Sequence, residues 1–191
     1  LHYAMEHQDQ IDKLVLVCGT GGVSTPVTNA GWQQRHDRMT ARQKNLPTSQ
    51  PKLGGEGRIG KVPPIRSEGE YERFAVAYHP YGPVGATMHM DQPAQTFLYA
   101  EIMANAGGPP TVETLPCFKS RPVTAEEAAT VKFPVLVVGG SDDPLFPTPE
   151  LEETARIFSN GRLNIFKGAG HLAYYEKANR FNDLLRDFLS H

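Results

Sequence analysis

Residues 133–147 read FPVLVVGGSDDPLFP, an unbroken apolar run of strand length that breaks off into two glycines, two acids and a proline. A run that is apolar at every position, not at alternate ones, is the pattern of a strand buried on both faces of a parallel sheet. Working outward, TPELEETARIFSN (148–160) reads as an amphipathic helix with Thr148 as N-cap and Pro149 in its first turn. GRLNIFKG (161–168) is a further short strand, and YYEKANRFNDLLRDFL (174–189) puts Phe181, Leu184, Leu185, Phe188 and Leu189 on one helical stripe. Near the front of the chain, KLVLVC (13–18) repeats the doubly buried strand pattern after a short helical stretch that has no capping residue before it. Alternating strands and helices predict an α/β fold whose parallel strands are joined by right-handed crossovers. Strands of this kind would leave an apolar edge exposed if they stood alone, so further strands are expected beside them.

The chemistry gathers where two of these strands end. SDDP comes directly after the 133–140 run, and GAGH (168–171) after the next strand. Loops leaving the C-terminal ends of adjacent parallel strands lie side by side, so an acid from the first and His171 from the second can meet across the intervening sequence. A general base needs its imidazole held in one tautomer by a carboxylate on the far nitrogen. Asp143 is favoured over Asp142 for that carboxylate, because the residue before Pro144 is driven to an extended conformation that projects its side chain reproducibly. Asp142 would then hold the turn. Taken singly, an Asp-Asp-Pro is a turn and a lone His is a surface or capping residue; their order on consecutive strands is what joins them.

The middle of the chain is less regular. GTGGVSTPVTNAG (19–31) reads as a loop, WQQRHDRMTARQKNL (32–46) as a helix, and residues 47–70 as a long irregular connection rich in Gly and Pro. EYERFAVAYH (70–79) and PAQTFLYAEIMANAG (93–107) are further helices. Trp32, Tyr78, Tyr81, Phe97 and Tyr99 are aromatic residues that either line a pocket or fill a core.

FPVLVVGGSDDPLFP, the helix after it, and GRLNIFKGAGHLAYYEKANRFNDLLRDFL together resemble the C-terminal third of an α/β-hydrolase. In that family Gly-x-x-Asp-x-x-x-Pro carries the acid of a catalytic triad and Gly-His its base. LHYAMEHQDQIDKLVLVCGTGG (1–22) is similar to the segment just C-terminal to the nucleophile elbow in the same fold. The resemblance implies a Gly-x-Ser-x-Gly turn about seven residues upstream of residue 1, since the family's triad runs nucleophile, acid, histidine. It implies that residues 1–29 and 126–191 form the hydrolase core, carrying the family's sixth to eighth strands, and that residues 30–125 form an inserted, mostly helical lid. The nucleophile-bearing N-terminal half is then expected as a missing segment or a second chain. EYERFAVAYH with VCGTGGVSTP (17–26) is similar to the proline iminopeptidase and tricorn-interacting aminopeptidase branch. That likeness implies lid carboxylates, among Glu68, Glu70 and Glu72, that receive a substrate amino group, with Tyr78 beside them. Acids at a helix start also serve the helix dipole, and PYGPVGATMHM (80–90) replaces the branch's basic stretch. The implied activity is cleavage of an ester or amide through Asp143 and His171. An Asp nucleophile upstream would make it an epoxide or haloalkane hydrolase, and a hydrolase fold retained only for binding is the remaining alternative.

Composition narrows the partners. The 191 residues are 39% hydrophobic and 21% charged with a formal net charge of -2, which gives no electrostatic reason to expect nucleic acid or an anionic membrane. A small molecule or peptide is the expected substrate. LVLVCGTGGVS lacks the third glycine of a dinucleotide loop, so no cofactor is expected. The seven histidines show no ligand spacing in sequence, so no metal is expected either. Cys18 and Ser24 lie on no Gly-x-Ser-x-Gly turn. Cys18 and Cys117 read as free thiols, which points to a reducing, cytoplasmic setting.

Overall fold

The computed structural model describes residues 1–45, 88, 91–105 and 121–190. In chain order they form helix α1 (His2–Glu6), a 3₁₀ turn (Gln8–Gln10), strand β1 (Leu14–Val17), strand β2 (Val23–Ser24) and helix α2 (Pro26–Asn45). Next come helix α3 (Pro93–Asn105), strand β3 (Val123–Thr124), helix α4 (Ala125–Ala129) and strand β4 (Val135–Gly140). The chain closes with helix α5 (Thr148–Ile157), strand β5 (Gly161–Phe166), and helices α6 (Ala173–Glu176) and α7 (Ala178–Ser190).

Every residue of β4 is buried, and its place in the sheet explains why. It is the middle strand of a three-stranded parallel sheet, β1-β4-β5, with Leu14 opposite Val135 and Val135 opposite Gly161. Successive side chains point to opposite faces. Val135 and Val137 join a core with Leu16, Leu151, Ala155 and Phe158; Leu136 and Val138 join another with Cys18, Phe166, Ala173 and Phe188. Helix α5 therefore covers one face and α7 the other, each buried Val or Leu contributing roughly 1.5–3 kcal/mol. This is the expected α/β arrangement.

Among the described residues β1 pairs on one side only, and Val17 is 36% exposed, the open apolar edge expected of this strand without further neighbours. Other expectations need correction. Leu189, placed on the buried stripe of the last helix, is 58% exposed, while Phe181, Leu184 and Phe188 carry the packing. The stretch from Tyr174 to Leu189 is two helices, because a break at Lys177 (φ -123°, ψ 40°) separates α6 from α7. Thr148 is not the N-cap of α5: Pro147 occupies that position, no side chain caps it, and the first turn is held by Glu150 N–H donating to Pro147 O at 3.0 Å.

Helix α2 begins at Pro26, six residues before its expected start at Trp32. Thr25 and Thr28 cap it reciprocally, with Thr25 N–H donating to Thr28 Oγ1 (2.8 Å) and Thr28 N–H to Thr25 Oγ1 (3.2 Å). Proline at the first helical position costs nothing, since that N–H has no partner in the helix. The helix therefore runs across the boundary drawn at residue 30. A second sheet of two residues per strand pairs β2 with β3 in parallel, Val23 opposite Val123. Both valines are buried in the core, so residues 23 and 123, far apart in sequence, are held side by side.

Thr124 then caps α4 with a capping box. Its hydroxyl accepts from Glu127 N–H (3.1 Å), the Glu127 carboxylate accepts from Thr124 N–H (2.9 Å), and Arg121 donates to the same carboxylate at 2.9 Å. Thr124→Ala is expected to cost about 0.5–2 kcal/mol of unfolding free energy, read from urea denaturation at pH 7. The Arg121 and Thr124 bonds lower the Glu127 carboxyl from 4.5 to about 2. Because the folded value lies below the unfolded one, this contribution is present above about pH 4.5 and is lost as pH falls toward about 2.

Candidate functional site

Strands β4 and β5 end side by side, and the loops that leave them are sewn together. Ser141 N–H donates to Phe166 O (3.1 Å) and Asp142 N–H to Ala169 O (2.9 Å). In return Gly168 N–H donates to Ser141 Oγ at 2.8 Å. These bonds fix the second loop against the first, and Gly168 takes a φ of +68° within it.

Asp143 is 4% exposed. Its Oδ1 accepts from the backbone N–H groups of Leu145 (2.8 Å) and Phe146 (3.0 Å), which fixes the carboxylate plane. Its Oδ2 lies 3.0 Å from His171 Nδ1. A carboxylate can only accept, so Nδ1 carries the hydrogen, and in the neutral imidazole the lone pair is on Nε2. The His171 side chain is 22% exposed, and the Phe146 ring stacks beside it with centroids 5.8 Å apart and planes 19° apart. The structure thus brings together the two residues singled out in sequence. Asp142 is exposed and accepts from Ser141 Oγ at 2.6 Å.

Two neighbours of the pair were not legible in sequence. Glu176, 3% exposed on α6, accepts the Gly170 N–H with both oxygens at 3.0 and 3.1 Å, bracing the residue just before His171. Cys18, at the end of β1, has φ +50° and is buried; its sulfur, an Asp143 oxygen and a His171 ring nitrogen all lie within 4.8 Å of one another. Such a trio has the composition of a metal site, and no spacing rule finds it because residues 18, 143 and 171 meet only through the sheet. Asp143 and His171 already satisfy each other, however. Burial pushes the Cys18 thiol up to about 11, opposed by a backbone bond from Ala173 and assisted by the charges of Asp143 and Glu176. A metal would have to displace that proton.

The same protonation makes Cys18 a poor nucleophile. A pKa near 11 in place of 9.0 leaves about a hundredfold less thiolate at pH 8. Iodoacetamide is therefore expected to label Cys18 at least that much more slowly than a free thiol, as read by peptide mapping, and rapid labelling would contradict its burial. Cys18 is a free cysteine, and Ser24 Oγ is engaged with Asn29 Oδ1 at 3.1 Å. Tyr99 is half-buried against Tyr175 with Leu172 and Met88 beside them, next to the histidine loop. Trp32 and Phe97 are exposed. Glu68, Glu70, Glu72, Tyr78, Tyr81 and Cys117 lie outside the described residues. Among the described residues no helix is long and apolar enough to cross a membrane.

The alpha/beta hydrolase fold family matches residues 1–178. The chain belongs to that family. The chain is 39% identical over 67 residues, 35% of its own length and 31% of the relative's, to ABHD14B of Homo sapiens, a candidate protein-lysine deacylase. It is 38% identical over 61 residues, 32% of its length and 21% of the relative's, to 2-hydroxy-6-oxononadienedioate/2-hydroxy-6-oxononatrienedioate hydrolase 1 of Dechloromonas aromatica. Its fold superposes on a thermophilic esterase from Thermogutta terrifontis with a TM-score of 0.61 at 19% identity, covering 98% of this chain and 59% of the esterase. The chain spans less than two thirds of each of these relatives' lengths.

Proposed function

We propose that this chain supplies the acid and the base of a Ser-His-Asp hydrolase that cleaves an ester or amide bond. The observation that carries the reading is the 3.0 Å contact between Asp143 Oδ2 and His171 Nδ1, with Nε2 left as the acceptor. In the proposed reaction a serine hydroxyl loses its proton to His171 Nε2 as its oxygen attacks the carbonyl carbon. Asp143 holds the ring and stabilises the imidazolium that forms. His171 then gives the proton to the leaving alcohol or amine, and the acyl group passes to water in a second round of the same transfers. The serine and the oxyanion donors belong, in this reading, to polypeptide outside residues 1–191, as a preceding segment or a second chain. Residues 30–125 would form the lid that shapes the pocket. The family's esterase and hydrolase relatives support carbonyl substrates over epoxides.

A serine-directed fluorophosphonate tests the assignment. The full-length protein is expected to be labelled at one serine on a Gly-x-Ser-x-Gly turn and to lose activity in step. No labelling in a protein that hydrolyses an epoxide would replace the serine with an Asp nucleophile; no turnover of any substrate would leave a binding role. The aminopeptidase form of the proposal, suggested by EYERFAVAYH, assigns Glu70 and Tyr78 to a substrate amino group. It requires that a prolyl amide be turned over faster than its N-acetylated form.

A further inference from the structure

Helix α2 sends a guanidinium to the acid loop. Arg35 Nη1 donates to Leu145 O at 2.7 Å and to both Glu150 carboxylate oxygens at 2.9 Å. The Arg35 and Glu150 side chains are 13% and 6% exposed. The guanidinium carbon also stands 4.2 Å from the centre of the Phe146 ring, and that same ring stacks on His171.

One peptide unit joins these contacts. The carbonyl of Leu145 and the N–H of Phe146 belong to the same amide. Arg35 binds its oxygen, and its N–H donates to Asp143 Oδ1 at 3.0 Å. A cation on the carbonyl of an amide polarises its N–H, which strengthens the bond that N–H makes to an anion. The sequence of charges is Glu150 negative, Arg35 positive, the amide dipole, Asp143 negative, then the imidazole. Each charge faces an opposite charge or the complementary end of a dipole. The second route, from guanidinium to Phe146 to His171, is a cation held against one ring that is itself stacked on another.

We propose that Arg35 is a positioning residue for the Asp143–His171 pair, acting through the Leu145–Phe146 peptide and the Phe146 ring, with Glu150 holding Arg35 in place. The kinetic part of this proposal rests on the hydrolase reading; the structural part does not. Gly31 offers an independent handle. A Cβ there would lie 1.8 Å from Glu150 Oε1, so a methyl group at position 31 forces the end of the Glu150 side chain away from Arg35.

The test compares Arg35→Met/Glu150→Met, Arg35→Lys and Gly31→Ala in the full-length protein. Removing both charges together avoids leaving a buried carboxylate unpaired, so the double variant is chosen to stay folded. With a small activated ester its kcat is expected to fall on the order of 10- to 100-fold, the range seen when outer partners of a functional side chain are lost, with KM changed less than about threefold. Arg35→Lys keeps the charge but not the planar group against Phe146 and should fall between. Gly31→Ala should lower kcat by a few fold and also lower the thermal midpoint, since it parts a buried ion pair. A second readout needs no turnover: the downfield ¹H resonance of the His171 Nδ1–H bonded to Asp143 should shift and broaden in the double variant and in Gly31→Ala. Unchanged kcat and an unchanged resonance in the folded variants overturn the proposal. A shifted resonance in a protein that hydrolyses nothing upholds the positioning role and removes the hydrolase reading instead.

Discussion

His171→Ala is expected to abolish turnover of a small activated ester by the full-length protein, and Asp143→Asn to lower kcat by about 10⁴-fold, the cost of losing the orienting carboxylate in a triad. Asp142→Asn should stay within a few fold of the parent. The separation comes from geometry. Asp143 is buried, bonds His171 at 3.0 Å and is itself held by two backbone N–H groups. An asparagine there can present its NH₂ to Nδ1, which then has to accept, so the hydrogen moves to Nε2 and the base loses its lone pair toward the substrate. Asp142 faces solvent and takes a hydrogen bond from Ser141, a job asparagine's carbonyl oxygen can do. Steady-state kinetics on variants whose circular dichroism matches the parent decide the matter. A severe Asp142→Asn would move the acid by one residue, and a nearly normal His171→Ala would remove general-base catalysis from this chain.

Which parts of this arrangement could be read in advance depends on how local their causes are. The doubly buried strand at 135–140 is legible because burial on both faces removes the alternation that a one-sided strand must keep. Asp143 is legible because Pro144 restricts it and because short-range N–H groups, two and three residues on, complete its cradle. The start of α2 was also written locally, as Thr25-Pro26 with Thr28 in the third helical position, yet the glycines and small polar residues around it read as a loop. Glu176, Cys18 and Arg35 are a different matter. Arg35 reaches Leu145 across 110 positions, and neither residue carries a pattern that names the other. The same holds for β2 and β3, whose two-residue strands are too short to show any period. Their pairing is a consequence of where the rest of the chain has to go.

The second large effect concerns the strand that delivers the acid. Leu151 on α5 is fully buried and packs with Val135 and Val137 in one core. Its Cδ1 occupies the space left by Gly139 so closely that a Cβ on that glycine would lie 2.1 Å away. Leu151→Ala is expected to cost about 2–5 kcal/mol, the lost transfer energy plus the cavity, out of a total stability of roughly 5–15 kcal/mol. Gly139→Ala, which instead forces a methyl group into an occupied place, should cost about 1–3 kcal/mol. Because the two changes act on the same volume in opposite directions, the double variant should be less destabilised than the sum, by about 0.5–3 kcal/mol. Urea midpoints for the four proteins, with equal slopes, measure that coupling directly. Additive costs would mean that Leu151 does not fill the space beside Gly139, and that the close fit of α5 on β4 is not what holds the acid-bearing end of the strand in place.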